Sequence, residues 1–376
     1  MTRVNRWLGV GIAGVVVAGG GLALRAQGVA PDFSAAAVMA HVKVLASDEF
    51  EGRGPGTRGE EKTVAYIAEQ FQKAGVKPGA ADGTYFQAVP MVGITADPST
   101  TLTFAKGAAT RTLKFKDDMV VWTKRVAPEV SLAASDVVFV GYGIEAPEFN
   151  WDDYKGVDLK GKTMVVLVGD PPVPDPADPV ALDPKTFGGR AMTYYGRWTY
   201  KYEMGAKMGA AGVLIVHQTG PAGYPFAVVQ GKTAEQFDLV TPDKNAGRAA
   251  VEGWITHEQA RRLFAGAGKD FDALEKQAAT RAFTPVALGA TASVTLANSI
   301  RTIDSQNVVG LLEGSDPTLK HDYVIYTAHW DHFGVGVPIG GDKVYNGAQD
   351  NAAGCAGVIQ LARAFTKVQP PPGGGY

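Results

Sequence analysis

Cysteine is all but missing from this chain: there is one, Cys355, in 376 residues. A lone thiol excludes an intramolecular disulfide, a cysteine-based zinc knot and a lipid-bearing cysteine near the N-terminus. An excess of either charge is missing too. Lys and Arg number 36 against 38 Asp and Glu, a formal net charge of −2. That balance gives no electrostatic reason to bind nucleic acid or an anionic membrane. The sequence offers no G-x-S-x-G elbow, no internal repeat and no expected phosphate-binding loop. Gly141 and Gly143 lack the later glycine of a dinucleotide site. After Asp350 there is no further Asp, Glu or His. What remains is a globular composition, 45% apolar and 20% charged, with 47 Gly and 22 Pro to supply turns. The length leaves room for two or three domains.

Arg3 and Arg6 precede an uncharged apolar run from Trp7 to Leu24, with small residues at Gly21, Ala23, Ala26 and Gly28. A basic start, an apolar middle and small residues at the exit describe a secretory signal peptide over residues 1–28. An uncleaved membrane anchor is the competing reading, because the run only just reaches spanning length. Both place the rest of the chain outside the cytoplasm, periplasmic or secreted.

Ser34 can cap a helix carrying Val38, Val42 and Leu45. A turn-rich stretch, residues 47–56, follows. Thr57 and Glu60 form a capping box for a helix with Val64, Ile67, Ala68 and Phe71 on one stripe, stopped at Gly75. Short alternating runs at 102–104 and 113–115 read as strands, and so do 137–140, 162–168 and 213–216. Residues 170–179 are dense in Pro and Asp and read as a loop. Helices are expected over 200–208, 258–264 and 271–279. Further on, 308–312 and 323–328 read as two strands, and 352–366 as a helix bearing Val358, Leu361, Ala362 and Phe365.

Metal-type side chains concentrate in one place: His329-Trp330-Asp331-His332, followed by Asp350-Asn351. His329 and Asp331 stand two apart at the end of an apolar run, and extended backbone projects such residues to one side. Asp350 follows a Gly-rich loop and precedes a helix. Carboxyl ends of strands are where open α/β sheets bind ligands. Imidazole, carboxylate and an orienting second group are what a zinc site requires. An isolated H-x-D is also a common structural pair, and His321 and His332 stay open as alternative ligands. His41, His217 and His257 have no acidic neighbours at ligand spacing. Cys355 reads as a packing residue.

Taken together, His329-x-Asp331-His332-x-Gly334 and Asn346-Gly347-Ala348-Gln349-Asp350-Asn351-Ala352-Ala353-Gly354 resemble the first half of the co-catalytic di-zinc aminopeptidases, peptidase family M28. The segment 45–75 is similar to the entry segment of its secreted bacterial members. Residues 140–144, 154–162 and 209–216 look like an inserted protease-associated domain.

The resemblance implies an α/β fold: a three-layer αβα zinc-peptidase domain, discontinuous, with a β-rich insert. Its divisions would be 33–134 for the N-terminal part of the peptidase domain, 135–289 for the protease-associated domain and 290–376 for the first half of the catalytic domain. It also implies two zinc ions, with His329 on one and Asp350 bridging both. Asp331 would act in catalysis by orienting His329, and peptides would be the substrates, cut by a metal-activated water. The family's Glu-Glu pair, distal Asp and distal His have no counterparts after Asp350, so the resemblance implies a C-terminally truncated, inactive chain. A non-catalytic peptide- or partner-binding protein and a related carboxypeptidase are the alternatives. No membrane partner is expected beyond an uncleaved anchor.

Overall fold

A computed structural model of the chain describes residues 33–231 and 235–368. The expected signal peptide and the residues after Val368 lie outside that range. Among the described residues no helix is long and apolar enough to cross a membrane.

Local capping sets the first two helices. The Ser34 hydroxyl accepts from the Ala37 amide at 3.1 Å and opens helix Ala35–Leu45. Thr57 Oγ1 accepts from Gly59 N at 3.1 Å and opens helix Arg58–Ala74, which Gly75 closes at φ 81°. Glu60 departs from the capping box. Its Oε2 accepts from Gly56 N at 2.5 Å, one residue upstream of the cap. Its Oε1 accepts from Ser305 Oγ at 2.7 Å and Gln306 N at 3.0 Å. This buried carboxylate therefore ties the helix to a distant strand.

The fold is mixed α/β around a ten-stranded mixed sheet. Its spine runs Gln236–Leu239, Phe86–Ala96, Val286–Val308, Glu129–Phe139, Thr163–Leu167, Gly212–His217, Val251–Thr256 and Met119–Trp122; the hairpin Thr101–Lys106 and Ala109–Lys114 joins beside Val286–Val308. Four central neighbours, from Glu129–Phe139 to Val251–Thr256, are parallel. Every residue of Thr163–Leu167 and Gly212–His217 is buried, as continuous apolar strands covered on both faces must be. The expected helices appear as Trp198–Lys207, His257–Gly266 and Phe271–Ala278.

A smaller apolar cluster forms apart from the sheet's core. Val42, Leu45, Phe50, Val64, Ile67 and Phe71 from the first elements meet Trp330, Cys355 and Ile359 near the other end of the chain. Two expectations change here. Residues 308–312 do not form a separate strand: Val308 ends the 23-residue strand Val286–Val308, and Gly310–Leu311 pairs with Lys77–Pro78. Residues 323–328 form no continuous strand: Tyr323 makes only an isolated bridge, and 324–328 have no regular secondary structure. Tyr323 and Ile325 are 58% and 78% exposed. An apolar run becomes a strand only against a neighbour.

Candidate metal centre

The site stands where three loops meet. Residues 51–53 all adopt positive φ (49°, 62° and 52°), which folds the turn-rich stretch back on itself. Gly334 N donates to Gly52 O at 2.9 Å and His332 N to Arg53 O at 3.2 Å, so the segment after His329 lies on this turn. Tyr345 N donates to Gly334 O at 3.0 Å and brings in the third loop. Glycine is required at 52 because a Cβ there would meet Gly334 O at 2.4 Å.

The third loop ends in a single wide turn, Ala348–Ala352, ahead of helix Ala353–Phe365. Asp350 and Asn351 have non-helical dihedrals, and the peptide bond between them is cis. Asn351 holds the junction from both sides. Its Nδ2 donates to His329 O at 3.2 Å, and its Oδ1 accepts from Gly354 N at 3.0 Å.

This framework sets His329 Nε2 3.1 Å from Asp350 Oδ1. The other face of the same ring meets Asp331, with Nδ1 3.3 Å from the carboxylate and 3.2 Å from the backbone carbonyl. His332 Nδ1 stands 4.0 Å from Asp350 Oδ2. All three residues singled out in the sequence are thus neighbours, each with about half or more of its side chain exposed, and His332 joins them. His321 is not among these contacts. Cys355 is buried beneath, its thiol pushed up to about 11 by burial and its Sγ 3.4 Å from His329 O. Packing suffices to explain it.

The donor set fits a divalent metal. Two zinc bonds of about 2.0–2.2 Å meeting near the tetrahedral angle hold their donor atoms roughly 3.3–3.6 Å apart. The observed 3.1 Å between Nε2 and Oδ1 is a little under that range, and imidazole and carboxylate are both among zinc's protein ligands. Asp331 lies on the ring nitrogen that would not face the ion.

The sequence profile described as Peptidase family M28 matches residues 307–374. The matched segment contains the residues of the His329–Asp350 cluster, while the turn beneath it comes from residues 51–53. No curated protein matches the chain. Among solved structures, an aminopeptidase from Aneurinibacillus sp. strain AM-1 is 20% identical with a TM-score of 0.44, covering 91% of this chain and 61% of that one. A zinc aminopeptidase from Bacillus subtilis is 16% identical, TM-score 0.36, with coverage of 92% and 60%. A peptidase M28 precursor from Shewanella amazonensis is 15% identical, TM-score 0.39, with coverage of 90% and 65%. The chain therefore spans less than two thirds of each.

Two further places carry chemistry-bearing residues. His257, Asp272 and Glu275 come within metal-binding distance of one another, company that sequence spacing did not reveal. Both Asp272 oxygens, however, accept from Arg261, at 2.6 and 2.5 Å, and Glu275 Oε1 accepts from Gln218 Nε2 at 2.6 Å. The second place corrects the sequence reading: residues 156–163 do spell G-x-x-x-x-G-K-T. A phosphate cradle needs that string between a strand and a helix N-terminus. Here it leads into strand Thr163–Leu167, and Lys162 Nζ donates to Asp158 O at 2.8 Å.

Proposed function

We propose that the chain is the ligand-bearing part of an exported zinc-dependent metallopeptidase, an aminopeptidase that removes N-terminal residues from peptides. The observation that carries this reading is the 3.1 Å approach of His329 Nε2 to Asp350 Oδ1 within a segment matching family M28. In it, His329 ligates through Nε2. Asp331 accepts from Nδ1–H, which fixes the tautomer and leaves Nε2 its lone pair. Asp350 offers one oxygen beside His329 and keeps a second for another ion of a two-zinc site. His332, near that second oxygen, shields it from one side. Zinc held there supplies a Lewis acid for the scissile carbonyl and acidifies water at neutral pH.

Residues 33–134 and 290–376 are assigned to the peptidase domain. Residues 135–289 are assigned to a protease-associated domain that shapes access to the site, with strands Glu129–Phe139 and Val286–Val308 crossing its boundaries and continuing one sheet into the flanking residues. Residues 1–28 direct export to the periplasm or beyond.

The alternative reading is a non-catalytic peptide-binding protein on the same scaffold. Zinc content after dialysis and a panel of free-amine and N-blocked peptides separate the readings. Zinc retained by the wild type and lost from His329→Ala and Asp350→Ala is the expected result, and any cleavage is expected of free-amine peptides alone. Hydrolysis that survives N-terminal blocking excludes aminopeptidase action. Peptide binding with neither zinc nor cleavage supports the second reading.

A further inference from the structure

We infer that Arg53 is the positioning residue that sets the separation of His329 and Asp350, by joining the loops that carry them through one guanidinium. This rests on the metal reading of the site, and it concerns a residue far from the site in sequence.

The Arg53 side chain is fully buried, yet its hydrogen bonds go to backbone carbonyls. Nε donates to Trp330 O at 2.8 Å, on the residue between His329 and Asp331. Nη1 donates to Leu45 O and to Asn346 O, both at 2.6 Å. Nη2 donates to Gly347 O at 2.8 Å, and Gly347 O in turn accepts from Ala352 N at 3.2 Å across the turn that holds Asp350. One planar fork therefore touches the His329 loop, the Asp350 loop and the end of the first helix. The backbone of the same residue adds a fourth tie, accepting from His332 N.

Such a residue is costly where only packing is needed. Burial pushes the guanidinium pKa down, and a buried cation without a bonded carboxylate is replaceable by an apolar side chain of like volume when filling space is the only demand. What an apolar residue cannot do is hold four backbone carbonyls around one planar fork. The donors of Arg are rigidly arranged, so distances among their partners are fixed as well, whereas a Lys ammonium on a flexible stem imposes no such geometry. Left-handed φ at Arg53 itself is a further strain that persists only where the surroundings demand it.

The test compares wild type with Arg53→Lys and Arg53→Met by hydrogen exchange on the metal-free protein and by zinc affinity in competition with a chromophoric chelator. In Arg53→Lys, amides of 329–334 and 346–352 are expected to exchange at least about tenfold faster. Zinc affinity is expected to fall about 10–100-fold, as when groups that orient ligands are removed. Strands Gly212–His217 and Val251–Thr256 are expected to keep wild-type exchange. Wild-type exchange in both loops overturns the inference, and so does faster exchange with unchanged zinc affinity. Equal loosening of the central strands also overturns it, by making Arg53 a general stability residue. If the wild type binds no zinc, the metal reading itself fails; if wild type and Arg53→Lys bind zinc equally, the positioning role alone fails.

Discussion

Glu252 shows how a single buried group carries a pH signature. It sits in the central strand Val251–Thr256, with Oε2 accepting from Trp122 Nε1 at 3.3 Å and Oε1 without a partner in the structure. Burial raises its pKa from 4.5 to about 7, opposed by Lys124 and by the Trp122 bond. The folded state thus holds a proton that the unfolded chain has lost, so this group's contribution is full below pH 4.5 and disappears as pH rises through about 7. The stability of Glu252→Gln relative to wild type is expected to rise between those limits and level off above them, read from urea midpoints at pH 5 and 8. A flat difference would contradict the account. Legibility also divides at this scale. That His329, Asp331 and Asp350 lie together was legible, because two stand two apart and the third follows a Gly-rich loop before a helix; their roles as ligands belong to the proposal. Arg53 was not legible, because its bond to Trp330 spans 277 positions and its own neighbourhood reads only as turn.

Elements were readable where local signals decide them. Ser34, Thr57 and Gly75 announced helix ends that the structure reproduces, and Ser34→Ala is expected to cost about 1 kcal/mol in thermal or urea unfolding. Two glycines make a sharper pair. A Cβ at Gly253 would lie 2.3 Å from Val120 O, on backbone that cannot move aside, so Gly253→Ala is expected to destabilise by about 1–3 kcal/mol. At Gly266, the last residue of helix His257–Gly266, a Cβ meets nothing within 4 Å. Gly266→Ala is therefore expected to stabilise by about 0.4–1 kcal/mol, chiefly through the unfolded chain. Similar effects from both would show that close strand approach is not what requires Gly253. The run 323–328 marks the limit of local signals. Its composition is that of a strand, but pairing belongs to the partner, and no window of sequence contains the partner.

Over the whole molecule, the large sheet and the smaller cluster around Leu45, Phe71 and Ile359 are separate apolar cores. The mixed α/β class was legible from buried apolar runs alternating with helices. The 23-residue strand Val286–Val308, which threads both regions, was not, since polar and apolar residues alternate through it without a marked break. Beside the smaller core lies an open apolar cleft of about 610 Å³ lined by residues including Ile67, Phe71, Tyr323, Ile325, Leu361 and Phe365. Apolar surface of this kind is expected to bind the dye ANS and to promote self-association. Ile325→Lys, at a position 78% exposed, should weaken both without lowering the unfolding temperature. Unchanged dye binding would place the exposed apolar surface elsewhere.

The most direct measurement is anomalous diffraction at the zinc edge from crystals grown with zinc. The account predicts a peak within about 2.0–2.2 Å of both His329 Nε2 and Asp350 Oδ1. An empty gap between them, with zinc instead at His257 or nowhere, would contradict it.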